Sequence, residues 1–323
     1  MSRDAELAVA FTGARPRLVR VAYAVLGDHA EAQDVVADTW LRLADADAGA
    51  AGPVLDVEAW STVAVARRAM DVLRSARVRR ETYVGPWLPE PLVAPLAAAT
   101  TDPADHVTLA ETVSFALLVM LETLTPAERT AWVLHDLFDL PFPEVARVVG
   151  RSPAAVRQLA ARARGHVAER APRIDVDDVQ HRAVVAAFAR ASAAGDLTGL
   201  LAVLDPDVIL TSDGGGQVSA ARHPVHGADR VARFLLGVAA QAPVGQRLQA
   251  VTVNGGPGVA VLDGERVVLV VSLTMASGRV QRLDLVLAPP KLAHVRLPPP
   301  PPGSTSWPVS TLPAPDPAQR RSQ

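Results

Sequence analysis

The stretch Leu124–Val167, LTPAERTAWVLHDLFDLPFPEVARVVGRSPAAVRQLAARARGHV, admits few folds because its helix boundaries are written into it. Thr125, Pro126 and Glu128 form a capping box with proline at the first helical position, so a helix starts there with its end donors satisfied. A second helix over 143–149 is expected to stop at Gly150, and Ser152 with Pro153 caps a third. The product is helix, three-residue turn, helix. On the third helix Val156, Leu159, Ala163 and Val167 recur at core spacing, which turns Ala155, Arg157, Gln158, Ala161 and Arg162 outward. Small residues mixed with Arg and Gln suit a DNA major groove: Arg pairs with guanine edges, Gln with adenine edges, and the alanines allow close approach. Arg151 and Arg164 are better placed for phosphates, with Ser152 at the helix start. An amphipathic bundle helix would share the core spacing, but the turn, the caps and the acid-free outer face favour DNA.

Charge is distributed to the same effect. The net charge of the 323 residues is only −2, yet Arg67, Arg68, Arg74, Arg77, Arg79 and Arg80 stand against the single acid Asp71. Arg151, Arg157, Arg162 and Arg164 stand against none. Two local basic patches on helices are an electrostatic footprint for nucleic acid that the neutral total conceals. There is no Cys, which excludes disulfide frameworks, thiolate metal sites and cysteine nucleophiles and permits a reducing compartment. The N-terminus lacks the apolar core of a signal peptide and no apolar run reaches the length of a membrane span, so a cytoplasmic protein with no membrane contact is expected.

Periodicity is helical over residues 5–170, then shifts. Residues 178–297 open with two helices and turn β-rich, with GVAVLDG, RVVLVVSLTM and RVQRLDLVLA punctuated by glycine turns. Residues 85–107 are Pro-dense and read as an extended linker, and 298–323 as a disordered, Pro-rich tail. Within the β-rich part, Thr211–Gln217, TSDGGGQ, has the glycines of a phosphate cradle, but no Lys follows and strand-like runs flank it. A strand-end turn or bulge fits better.

Glu31, Asp34 and Asp38 form an acidic stripe at helical spacing, opposite Val35, Val36 and Leu41. Trp60 opens the arginine-laden helix that follows, and an aromatic beside Arg can hold an unstacked base. The order RLVRVAYAVLGDHAEAQDVVADTWLRL, ARRAMDVLRSARVRRETYVGPWLPEPL, then the helix-turn-helix, resembles the two domains of an extracytoplasmic-function sigma factor. YVGPWLPEPL resembles the subgroup with a fused SnoaL-like C-terminal domain; DGGGQ is similar to that subgroup's DGGGK, and APPKL to its NPDKL. The resemblance covers residues 8–297. It implies a multidomain chain: two all-α sigma domains, the second with the helix-turn-helix, followed by an α+β SnoaL-like cone. The domains fall at 1–84, 108–172 and 178–297.

The resemblance also implies roles. Glu31, Asp34 and Asp38 would meet the β′ clamp helices of core RNA polymerase, with the β flap as a second contact. Trp60 and the arginines Arg67, Arg68, Arg74, Arg77, Arg79 and Arg80, with the loop around Asp45–Asp56, would take the −10 element of promoter DNA. The helix from Ser152 would read the −35 element through Arg151, Ser152, Ala155, Arg157, Gln158, Ala161, Arg162 and Arg164. The cone would regulate in cis with no separate anti-sigma factor, touching the sigma part through Trp87, Leu88 and Pro89, Asp213, Gly214, Gly215 and Gly216, and Lys291, the only lysine, with Leu292. Gln217 stands where the motif has Lys, and Ala288, Pro289 and Pro290 where it has Asn-Pro-Asp, which puts the charge pairing there in question.

Cones of this type also serve as cyclases or isomerases with a carboxylate base and a buried donor. Asp213, His223, His226 and Asp284 are the candidates. Both tyrosines, Tyr23 and Tyr83, lie in the sigma part, and Pro-Val splits the histidines, so a ligand-sensing cone is the better fit than an enzyme; neither a cofactor nor a metal is expected. A helix-turn-helix regulator with a ligand-sensing domain is the other alternative.

Overall fold

The structure, a computed structural model, describes residues 2–49, 52–80, 83–96, 113–170, 178–298 and 306–308. The chain divides into two compact units, Met1–Thr82 with His106–Ala171, and Tyr83–Asp105 with Pro172–Gln323. The two helical domains expected separately at 1–84 and 108–172 therefore share one unit. The described part of the expected linker belongs to the other.

In the first unit, α1 (Arg3–Leu26) runs from the Ser2 cap to Gly27, whose positive φ closes the helix. The α2 helix (His29–Asp47) starts where Asp28 accepts a hydrogen bond from the Glu31 amide at 2.9 Å. It buries Val35, Val36 and Leu43, whereas Leu41, expected on the same face, is 65% exposed. Six residues beyond Val35 turn a helix by about 240°, so Leu41 faces away and Leu43 takes the core position. Next, α3 (Val57–Arg80) begins where Asp56 accepts from the Ala59 amide and buries Val65, Ala66, Ala69 and Leu73.

After α4 (Phe115–Leu121), the helix α5 (Pro126–Trp132) opens on the expected capping box. The Thr125 hydroxyl accepts from the Glu128 amide at 3.3 Å, and the Thr125 amide donates to Glu128 Oε2 at 3.2 Å. A wide π turn over Val133–Leu137 follows, then α6 (Phe142–Val149), Gly150 in the left-handed region at φ +71°, and α7 (Pro153–Arg170). Val145, Val148, Val149, Val156, Leu159, Ala160 and Ala163 close the core between them.

In the second unit, α8 (Asp178–Ala194), α9 (Leu197–Val203) and α10 (Ala228–Ala239) pack on one face of an eight-stranded sheet. Its strands are β1 (Val93–Pro95), β2 (Leu204–Asp213), β3 (Val225–His226), β4 (Arg247–Val253), β5 (Gly256–Asp263), β6 (Arg266–Ala276), β7 (Arg279–Val286) and β8 (Ser306–Pro308). They run in the order β1-β4-β5-β6-β7-β2-β3, with β2 parallel to β7 and β8 also on β4. A single turn, α11 (Pro289–Leu292), follows β7. Side chains alternate across the sheet: Leu210, Leu248, Val259, Val271, Leu283 and Leu285 face the helices, so Asp213 and Asp284 face the other way.

Two segments join this sheet that composition marked as linker and tail. Val93–Pro95 pair with Val251–Val253, and Ser306–Pro308 with Arg247–Gln249, end to end on the edge of β4 that β5 leaves open. Trp307, opposite Leu248, packs on the apolar cluster, which is why three residues of a Pro-rich tail order as a strand. The rest of the tail beyond residue 298 lies outside the described residues, as do residues 97–107 of the linker.

Glu128 ties its cap to a charge. Burial works against its carboxylate, but hydrogen bonds from the Thr125 hydroxyl and amide and from Arg162 together outweigh it and hold the pKa below the ordinary 4.5. A lowered carboxyl pKa stabilises the fold above 4.5, and that stability is lost as pH falls through the folded value. Glu128→Ala is expected to cost about 0.5–2 kcal/mol at pH 7 by urea unfolding, a gap that narrows toward pH 3.

Candidate nucleic-acid interface and linker anchor

The α7 helix presents its outward face as the spacing predicts. Arg151, Arg157, Gln158, Ala161, Arg162 and Arg164 are exposed, Ala155 is half-buried, and Ser152 Oγ accepts from the Ala155 amide. These side chains are not all idle. The Arg157 guanidinium lies 5.2 Å from the centre of the Phe142 ring, which fixes its direction. Arg162 Nε donates to Glu128 at 3.1 Å and Arg164 Nε to Asp136. To reach a phosphate, both must exchange a protein carboxylate for it. The guanidiniums are exposed but the carboxylates are not, so the exchange leaves Glu128 to its remaining bonds from Thr125 and takes from Asp136 its Arg164 partner.

The arginines of α3 are engaged more firmly. Arg67 donates through Nε and Nη2 to the Arg147 carbonyl at 3.1 and 2.7 Å, on the last turn of α6, where unpaired carbonyls concentrate negative charge. Arg77 donates to the Leu124 carbonyl at 2.9 Å, Arg68 lies 3.7 Å from Asp38, and Arg74 lies 3.5 Å from Asp71. The side chains of Arg79 and Arg80 lie outside the described residues. Trp60 is half-buried in a cleft of about 600 Å³ lined by the 52–56 loop, Arg67, and Glu144 and Arg147 of α6. Thus α3, expected to meet the −10 element, and α6, the first helix of the helix-turn-helix, face one cleft.

A residue that the sequence did not single out holds them there. Arg129, 1% exposed, donates to the Ala24 carbonyl at 3.3 and 3.2 Å and pairs with Glu122. Arg17 adds a bond of 3.4 Å to the Phe138 carbonyl. Arginine in a helix signals surface by default, and only the packing of α5 on α1 reveals a buried carbonyl waiting for it. On α2, Asp34 and Asp38 are exposed, and the stripe with Glu31 lines a shallow groove beside Arg68.

In the second unit, the residues expected to make a regulatory contact converge on one carboxylate. Asp213, 1% exposed at the end of β2, accepts four hydrogen bonds: Tyr83 Oη at 2.6 Å and the Gly215 amide at 2.9 Å on Oδ1, the Leu88 amide at 2.9 Å and Lys291 Nζ at 2.7 Å on Oδ2. Its carbonyl accepts from the Leu287 and Ala288 amides. Lys291 also donates to the Leu88 carbonyl and sits 4.0 Å from the centre of the Trp87 ring. Leu88, Pro89 and Leu292 are buried around it. The glycines explain themselves here. Gly215 and Gly216 take φ +67° and +68°, and a Cβ on Gly214 would lie 2.2 Å from the Val218 carbonyl oxygen. They shape a turn that aims an amide at Asp213, as a strand-end motif and not as a nucleotide cradle.

The motif departures leave this anchor intact. Gln217 is exposed outside it, and Ala288 contributes through its backbone while Pro289 opens α11. Further along, Leu92 and Asn254 exchange hydrogen bonds of 2.8 and 3.0 Å, and His294 Nδ1 meets Glu90 at 2.8 Å. The catalytic candidates do not assemble: Asp213 serves the anchor, His223 and His226 are exposed, and Asp284 pairs with Arg282 at 2.8 and 2.9 Å. Burial raises the Asp284 pKa against the pull of Arg282.

Known proteins carry the same parts. The family descriptions "Sigma-70 region 2" and "Sigma-70, region 4" match residues 11–79 and 114–167. A curated relative, the ECF RNA polymerase sigma factor SigJ of Mycobacterium tuberculosis, is 47% identical over 229 residues, 71% of this chain and 72% of its own. The probable ECF sigma factor SigI of the same organism is 34% identical over 301 residues, 92% and 98% of the two chains. The crystal structure of M. tuberculosis SigJ superposes with a TM-score of 0.68 at 36% identity, covering 88% of this chain and 97% of that one. The paired helical regions thus define a sigma-70-type promoter-recognition protein. The chain belongs to the extracytoplasmic-function RNA polymerase sigma factors, here with a SnoaL-like α+β cone at its C-terminal end. It is a transcription initiation factor, acting with core RNA polymerase on promoter DNA, and not an enzyme. Among the described residues, no helix is long and apolar enough to cross a membrane.

Asp213→Ala would leave the Lys291 ammonium buried beside Trp87 without its counter-charge, a change that typically costs about 3–5 kcal/mol. The expected outcome is faster amide exchange at Leu88 and a red-shifted Trp87 emission, with protection of α1 amides unchanged.

Proposed function

We propose that the C-terminal cone regulates the sigma regions in cis by holding the linker that follows α3. The observation that carries this reading is the Asp213 anchor. A buried carboxylate with four donors, one from the linker residue Leu88 and one from Tyr83, which falls in the second unit and not in the sigma part where it was expected, is a costly arrangement for a passive spacer. Because the linker is covalently attached, weak contacts suffice, and a separate anti-sigma partner is not needed. Such a factor works in the cytoplasm.

Within the sigma unit, we assign Glu31, Asp34 and Asp38 to the β′ clamp helices of core polymerase, with the β flap as a second contact. Trp60 and the α3 arginines take the −10 element, and the outward face of α7 the −35 element. Arg67 spends its Nε and one Nη2 donor on the Arg147 carbonyl, so a bidentate contact with DNA through that edge requires the side chain to release the carbonyl.

Run-off transcription from the gene's own upstream region, with core polymerase and full-length or truncated chain, tests the reading. Deleting the cone is expected to abolish transcript, and ending the chain near Pro289, which removes Lys291, to raise it; equal activity of all three would refute regulation in cis. On duplex promoter, Arg157→Ala or Gln158→Ala is expected to cost about 1–3 kcal/mol at the cognate −35 sequence alone. Arg164→Ala should weaken all sequences alike and reduce the salt slope by about one.

A further inference from the structure

The helix-facing side of the cone holds a half-open cavity of about 600 Å³ that the anchor does not use. Phe188 of α8, Phe234 of α10 and Leu248, Val259, Val271 and Leu285 of the sheet form its walls. No Asp, Glu, Lys, Arg or His is among its lining residues. Asp213 and Asp284 are on the opposite face of the sheet by strand alternation, so no charge is available to meet an ion inside. The size is that of a small-molecule site, and the walls are mostly apolar, with Ser192, Ser219, Gln241 and Gln246 as their polar side chains.

One polar group stands out. Ser192 lines the cavity, its Oγ is buried, and it has no hydrogen-bond partner among the described residues. A buried hydroxyl left unpaired costs stability that a guest with a matching group restores. The mouth is marked by Val218 and Val238, which line the cavity and are 41% and 40% exposed. Exposed valines at the rim of a dry cavity favour an apolar guest over water.

We propose that this cavity is a binding site for an uncharged, largely apolar small molecule carrying one hydroxyl or carbonyl group, which pairs with Ser192. The site stands apart from the regulatory reading, because binding needs neither polymerase nor promoter. It does border the anchor: the Ala221 amide in the cavity wall donates to Ser212 Oγ at 2.8 Å, one residue before Asp213.

Nile red, a neutral apolar dye, is the probe. The full-length chain is expected to bind it at one saturable site with blue-shifted emission. 1-Decanol should displace it, and decanoate or decylammonium should need at least tenfold more. Gly237 is exposed at the cavity rim, and a Cβ there meets no atom within 4 Å, so Gly237→Trp can fold while covering the mouth. It is expected to weaken dye binding at least tenfold, and Ser192→Ala to weaken decanol severalfold while sparing the dye. Absence of saturable binding overturns the proposal, as does equal displacement by the ions. Dye affinity left unchanged by Gly237→Trp and by a second rim variant, Val238→Trp, does so too, since it places the dye elsewhere. Loss of Gly237→Trp to misfolding, read by circular dichroism, passes the decision to Val238→Trp.

Discussion

The Asp213 carboxylate organises the C-terminal unit because, among the described residues, it joins the segment after α3, the glycine turn and α11 at one point. Tyr83, the linker amide of Leu88, the glycine turn and α11 each send it a donor, and its burial is what calls for them: a carboxylate out of water is stable only when its lone pairs are filled. The glycines, Tyr83 and the lone lysine follow from that need. So does the position of the described part of the linker, whose residues Val93–Pro95 are laid along the sheet as β1.

The helical unit rests on a related device with the sign reversed. Arg17, Arg67, Arg77 and Arg129 each reach a backbone carbonyl of a distant helix or turn, so cations close the unit where hydrophobic contact alone would leave carbonyls bare. Guanidinium suits this task because it is always charged and its donors fan out in a plane. Arg67 belongs both to the closed unit and to the surface proposed for the −10 element.

Local chemistry was readable in advance. The Thr125–Glu128 box, Gly150 and the outward face of α7 depend on neighbours within four residues, and all appear where their spacing places them. Motif resemblance drew Trp87, Leu88, Asp213 and Lys291 into one expected contact, and they do meet. Leu41 shows the limit of reading a helix face by eye, since a small error in angular phase moves a residue from core to solvent. Arg129 and Trp307 show another: each is defined by a partner more than 50 residues away, Ala24 for one and Leu248 for the other.

Residue order alone determined the helix ends, the turn between α6 and α7, the strand-rich character after residue 178 and the family, because caps, periodicity and motifs act over short spans of chain. Tertiary structure alone decided which carbonyls the arginines seek, that the two helical regions form one unit, that linker and tail share one edge of β4, and that an uncharged cavity lies behind the sheet. Those outcomes depend on which distant surfaces come together and exclude water, and a buried carbonyl, an open strand edge or a cavity exists only once they have.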